Sequence, residues 1–326
     1  MNPSFDAKSF WGLILMIVLT MGCARLAESS PSQADRAPLS GKNPVEERVI
    51  PRFSHVIIII FENTEFSQII GNSRLRWFNV FSRDHTLLTR YYAVTHPSLP
   101  NYLALISGET FGIESDCTDC FVDARSLPDL LEAAGRTWKT YLEGMPYACF
   151  KGVSSGRYAI KHNPFLYFNA IREDQARCRR SIVPLSQLGK DLKEGDLPDF
   201  AFIVPDMCHS SHDCSLKISD SWLGRIARSI LDSPVFDQNS LLVVTFDEGT
   251  TNEGCCGPSP QVKGGRIATL LISALAKKGF KDSTVYSHYS LLKTIAAAWD
   301  LEELGHSSDP ETNLISAPWK NRIPEN

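Results

Sequence analysis

Four short stretches of this chain are apolar at nearly every position: residues 55–61 (HVIIIIF), 200–204 (FAFIV), 241–246 (LLVVTF) and 267–272 (IATLLI). A strand with one wet face alternates apolar and polar residues. A parallel strand covered on both faces reads instead as a continuous, β-branched run, and these four are of that kind. Between them, residues 219–231 and 290–299 carry apolar side chains at helical spacing. Ser126 with Asp129 three residues on forms a capping box ahead of Leu130 and Leu131, and Gly135 closes that segment. Strands alternating with helices predict a doubly wound α/β architecture, with a mostly parallel central sheet and helices on both faces.

The residues that end the runs carry the candidate chemistry. The first run is followed by Glu62-Asn63, the second by Pro205-Asp206 and the third by Asp247-Glu248. In a parallel sheet these carboxyl ends share one edge, where ligands bind. One acid alone would serve as a helix or turn cap. Acids from three strand ends, with no Lys or Arg beside them, should bind a cation or share protons. Oxygen ligands suit Mg, Ca or Mn, and added histidine brings in Zn or Fe. His96, His162, His209, His212 and His288 sit beside prolines or polar turns, whereas His55, His85 and His306 read as structural or surface residues. Residues 95–102 (THPSLPNY) place Ser98 as a helix N-cap with Pro100 in the opening turn. A serine there lies where backbone amides and the helix dipole attract phosphate, and a neighbouring metal would make it a nucleophile.

Composition narrows the class. With 326 residues, 43% of them hydrophobic, the chain can bury a sizeable core, which excludes a disordered protein. Its 33 basic and 37 acidic side chains give no basic field, so no nucleic-acid partner is expected. Residues 1–23 have the layout of a signal peptide, with Lys8, a short apolar run and then small residues. Two cleavage sites compete: a lipobox-like Thr20-Met21-Gly22-Cys23, which would lipidate Cys23 and anchor the chain to a membrane, or a cut after Ala24. Residues 24–50 read as a flexible tether and residues 51–326 as the folded domain. Removing Cys23 from the nine cysteines leaves eight: Cys117, Cys120, Cys149, Cys178, Cys208, Cys214, Cys255 and Cys256. An even number in an exported chain reads as a disulfide framework, with Cys208–Cys214 expected as a local pair because only five residues separate them. Cys117-x-x-Cys120 also fits half a zinc knuckle or a redox pair, although no second pair has the matching spacing. The expected location is the periplasm, the outer membrane as a lipoprotein, or the exterior.

Six segments in one order, HVIIIIFEN, THPSLPNYLALISGETFGI, RYAIKHNPF, SHDCS with SDSWL, LLVVTFDEG and SHYSLLKTIAAAW, resemble the phosphoesterase family of secreted acid phosphatases and phospholipases C, within the alkaline-phosphatase superfamily. The resemblance spans about residues 53–304. It implies one or two divalent metal ions, the first held by Glu62, Asn63, Asp247 and Glu248. It implies a phosphorylated Ser98, with Thr95 as the alternative nucleophile, and Asn101 holding a phosphoryl oxygen. A second metal would fall to Asp206, His209 or His212, and His288; acid-phosphatase relatives instead imply proton transfer by His96, His212 and His288, with His162 and His209 close to substrate. Cys117 or Cys120 would pair with Cys149. The chain departs from the family pattern at Ser210, where relatives carry an acid. The implied activity is a phosphomonoesterase, or alternatively a phospholipase C-type phosphodiesterase, with phospholipid or phosphoinositide substrates by analogy.

Overall fold

The computed structural model describes residues 49–256 and 261–320. The signal-peptide and Cys23 readings, and all but the last two residues of the 24–50 tether, lie outside the described residues. Eight strands form one sheet: Val56–Phe61 (β1), Thr86–Tyr92 (β2), Trp138–Leu142 (β3), Ile182–Pro184 (β4), Phe200–Val204 (β5), Leu241–Phe246 (β6), Arg266–Ile272 (β7) and Lys281–Ser287 (β8). Their order is β8-β2-β7-β6-β1-β5-β3-β4. Every side chain of β1, β5 and β6 is buried. Successive side chains of a strand point to opposite faces, so both faces of the sheet are covered there, as the continuous apolar runs require.

All neighbours pair in parallel except at β7, which runs antiparallel to both β2 and β6. The 267–272 run therefore corrects the sequence expectation of a parallel strand. Its side chains are buried like those of β1. Burial on both faces is what the apolar run reports, and it carries no information on direction.

The helices that matter for the site are Arg76–Asp84 (α1), Ser98–Ser107 (α2), Leu127–Ala133 (α3), Leu216–Leu231 (α4) and His288–Ala298 (α5). α1 packs on α4, and α2 on α5. The α3 capping box forms as expected, the Ser126 amide donating to Asp129 Oδ2 at 2.7 Å. Because β2 is antiparallel to β7 and β7 to β6, β2 shares the direction of β1, β3, β5, β6 and β8. Their carboxyl ends open on one edge, and six segments feed it: Glu62-Asn63, the loop to Ser98, Glu143, Asp206, Asp247-Glu248 and His288.

The eight cysteines form four pairs: Cys117–Cys120, Cys149–Cys178, Cys208–Cys214 and Cys255–Cys256. The Cys208–Cys214 reading holds, and the Cys117 or Cys120 pairing with Cys149 does not. The Cys149 amide bonds the Ile182 carbonyl at 2.9 Å, which sets its loop against the helix Gln175–Ser181 that carries Cys178. Thiol titration of the denatured, unreduced domain should find none of these eight free, and peptide mapping should join Cys149 to Cys178. A Cys117–Cys149 or Cys120–Cys149 peptide would refute this connectivity.

Candidate active site

Ser98 is the first residue of α2 and Pro97 is its N-cap, so the serine hydroxyl makes no capping bond. This corrects the N-cap reading and frees the hydroxyl for chemistry. Ser98 Oγ donates to Glu62 Oε2 at 3.0 Å and to Glu248 Oε1 at 3.3 Å, and its side chain is buried. One turn along α2, the Tyr102 hydroxyl donates to the other Glu62 oxygen. Asn101 does not face the site. Its Oδ1 accepts from the amides of Val94 (2.8 Å) and Thr95 (3.0 Å), and its Nδ2 donates to the carbonyls of Thr95 (2.8 Å) and Pro97 (3.1 Å). With both ends of its amide saturated, it braces the loop before Ser98 and has no donor left for a phosphoryl oxygen.

Three carboxylates from two adjacent strand ends meet around that hydroxyl. Glu62 and Asp247 have no exposed surface and Glu248 very little. Burial, followed by the neighbouring Asp247, raises the Glu62 carboxyl well above its usual range and pushes Glu248 up to about 9. Burial also raises Asp247, even though its Oδ1 accepts from the amides of Asn63 at 3.0 Å and Glu248 at 2.6 Å. Asp247 Oδ2, equally buried, has no partner. A group this crowded and this dry must take up protons or a cation. The orphaned Asp247 oxygen and the all-oxygen donor set fit a hard divalent ion. Asn63, at φ 46°, adopts the left-handed turn that asparagine tolerates, and this turn brings its amide to Asp247.

Gly249 is dictated by the loop beyond Glu248. Buried Glu65 uses Oε1 to gather the amides of Thr250 and Thr251 at 3.0 and 2.9 Å and the Thr251 hydroxyl at 2.7 Å. A Cβ on Gly249 would sit 2.5 Å from that same oxygen. Gly249→Ala should therefore lower stability by about 1–3 kcal/mol and reduce turnover; calorimetry and an ester assay check both, and an unchanged melting temperature would contradict the packing.

The histidines divide by position. His96 presents Nδ1 to Glu248 and Nε2 to the Thr251 carbonyl at 3.0 Å, on the loop that carries Ser98. His162 is buried and stacked on Tyr102. Its Nε2 lies 3.3 Å from Glu62 Oε1 but is misaligned for a hydrogen bond and has no other partner. Burial, then Lys161, keeps it neutral by lowering its pKa well below the usual value. His212 turns Nδ1 to Asp213 at 2.7 Å and Nε2 to Lys161 Nζ at 3.4 Å.

His288, Asp206 and His209 depart from their expected roles. Fully buried His288 has Nε2 on the Asp247 carbonyl at 2.7 Å and Nδ1 3.3 Å from the Tyr91 hydroxyl, and burial lowers its pKa to about 4. Both ring nitrogens are engaged, so it braces the Asp247 backbone and neither relays protons nor joins a second metal set. Asp206 Oδ1 accepts the amides of Cys208 and His209 at 2.9 and 2.8 Å. His209 turns to Glu143 Oε2 at 2.9 Å and stacks on Trp222. Glu143, Asp206 and His209 thus form a separate trio, the one group among the described residues whose ligand atoms lie within 4.8 Å of one another. The expected Asp206/His/His288 set is not assembled.

Sequence reading did not assign a role to Tyr102, Glu143, Lys161, Asp116 or Glu65. Tyr102 was legible, since it follows Ser98 by four residues and a helix places that pair on one face. Glu143 follows β3, whose sequence WKTYL has a lysine within it and no continuous apolar run. Asp116 lies in a loop with no periodic signal.

A serine hydroxyl on two buried carboxylates thus sits at the carboxyl edge of a sheet with an alkaline-phosphatase-like fold. A structure of a protein in the alkaline phosphatase superfamily from Vibrio parahaemolyticus shares the fold at TM-score 0.55 and 15% identity, over 81% of this chain and 72% of that one. Residues 74–302 match the model of the phosphoesterase family, to which the chain belongs. A phosphate-repressible acid phosphatase of Penicillium chrysogenum is 32% identical over 288 residues, 85% of this chain and 68% of that protein. A phosphatidylinositol-3-phosphatase of Mycobacterium tuberculosis is 32% identical over 263 residues, 80% of this chain and 81% of that protein. Against two other acid phosphatases the chain spans only 62% of their length. The chain is a hydrolase acting on phosphoric ester bonds.

Proposed function

We propose that the chain is a metal-dependent phosphomonoesterase that acts on exported or extracellular phosphate esters through a phosphoserine at Ser98. The observation that carries this reading is the Ser98 hydroxyl, free of capping duty and hydrogen-bonded to Glu62 and Glu248. Glu62, Asn63, Asp247 and Glu248 would hold the ion, which when bound supplies positive charge beside the serine and lowers its hydroxyl pKa. The residues then have distinct tasks. Ser98 Oγ attacks phosphorus in line with the leaving oxygen, and its proton passes to a carboxylate already within hydrogen-bond reach. The ester P–O bond breaks, and the departing alkoxide takes up the proton that the carboxylate received from Ser98. Water then attacks the phosphoserine, releasing inorganic phosphate and restoring the hydroxyl.

The test is a substrate panel on the purified domain: p-nitrophenyl phosphate, bis-p-nitrophenyl phosphate and a phosphocholine lipid, each with and without chelator. Monoester turnover abolished by chelator and restored by a divalent ion is the expected result. Turnover of the diester or the lipid alone would make the chain a phospholipase C-type phosphodiesterase. No turnover of any of them would leave it a binding protein.

A further inference from the structure

We propose that Lys161 binds the phosphoryl oxygens of the ester at Ser98, and that Asp116 is the positioning residue that fixes Lys161 relative to the nucleophile's helix. The inference rests on the phosphatase reading and deepens it. Lys161 Nζ donates to Asp116 Oδ2 at 2.7 Å, and the other carboxylate oxygen, Asp116 Oδ1, accepts the Leu99 amide at 3.0 Å. One carboxylate therefore ties the cation to the first turn of α2, one residue beyond Ser98. The side chain of Lys161 is only 20% exposed.

Three observations argue against a merely structural ion pair. An ammonium has three donors, and Lys161 places one on Asp116 and one toward His212 Nε2 at 3.4 Å. The third has no partner among the described residues. Second, a half-buried ion pair contributes little net stability, so folding alone gives it slight purpose. Third, the ammonium is anchored next to the nucleophile, because its Asp116 partner also holds the amide of Leu99, the residue that follows Ser98. Burial works against the ammonium, but Asp116 more than offsets it and keeps Lys161 charged. Phosphoryl transfer gains mainly from positioned charge at the equatorial oxygens, and a tethered lysine beside the serine supplies it. His212, whose Nδ1 faces Asp213, accepts from the same ammonium through Nε2 and holds it from the other side.

The experiment compares wild type, Lys161→Met, Lys161→Arg and Asp116→Asn on p-nitrophenyl phosphate, with inorganic phosphate as inhibitor. Lys161→Met should lower kcat/KM by roughly 10²–10³-fold and weaken phosphate inhibition by about tenfold or more, while the melting temperature stays near that of wild type. Lys161→Arg should recover part of both, since it restores charge but not shape. Asp116→Asn should lower kcat while phosphate still inhibits. A measurement on wild type stands apart from any folding defect: saturating inorganic phosphate should slow acylation of Lys161 by acetic anhydride, while surface lysines react as before. A Lys161→Met enzyme with unchanged turnover and phosphate inhibition, or acylation of Lys161 indifferent to phosphate, would overturn the inference. An active wild type with an indifferent Lys161 refutes this inference alone; a wild type that turns over no ester refutes the phosphatase reading as well.

Discussion

Ser98→Ala should remove turnover by at least about three orders of magnitude, because a covalent catalyst without its attacking atom keeps only the residual catalysis of its surroundings. The fold should survive. The hydroxyl is not a helix cap, so the loss is one donor to two buried carboxylates, costing about 1–3 kcal/mol in a domain built around a sheet buried on both faces. Metal content should stay near that of wild type, since Glu62, Asn63, Asp247 and Glu248 are intact. Thr95→Ala should be far milder: the Thr95 hydroxyl donates to the neighbouring His96 carbonyl at 3.3 Å and to neither carboxylate. The comparison is a steady-state assay of both variants with metal analysis on the same samples. A dead Thr95→Ala beside an active Ser98→Ala would move the nucleophile by three residues.

Asp247→Asn should lose activity and bound metal together, by about a hundredfold or more in turnover. Asp247 is the centre of the carboxylate group, with one oxygen held by the Asn63 and Glu248 amides and the other orphaned. Stability should respond in the opposite sense once metal is removed. In the chelated protein three buried acids oppose one another, and replacing one with a neutral amide relieves that repulsion. The chelated variant should therefore melt no lower than chelated wild type, while the metal-supplemented wild type melts above both. Elemental analysis and calorimetry across the four samples check this. Full metal occupancy in Asp247→Asn would sink the proposed ligand set.

What the sequence disclosed follows from which physical rule each residue obeys. The runs that became β1, β5 and β6 were legible because burial on both faces leaves no polar position to interrupt them. β3 and β8 were not, since WKTYL and KDSTVYS include charged and polar positions. Acids directly after a buried strand marked the edge, so Glu62, Asp247 and Glu248 were placed correctly from pattern alone. Asp206 follows the same rule at β5 and yet leaves the cluster. Its carboxylate caps the amides of its own loop, a local competition that no spacing rule ranks beforehand. His288, chosen by residue type, and Asn101, chosen through the family resemblance, proved to be braces, because hydrogen-bond partners settle a polar residue's role and those are tertiary. Lys161 and Asp116, 45 residues apart, meet only through the fold.

The central claim is that phosphate passes through Ser98, and acid quenching during turnover tests it most directly. Wild type mixed with p-nitrophenyl phosphate and quenched within the first turnovers should yield a peptide carrying one phosphate on Ser98, absent from Ser98→Ala and from enzyme quenched after substrate is exhausted. Phosphate on Thr95, or an unmodified Ser98 peptide from an enzyme proven active in the same mixture, would contradict the account.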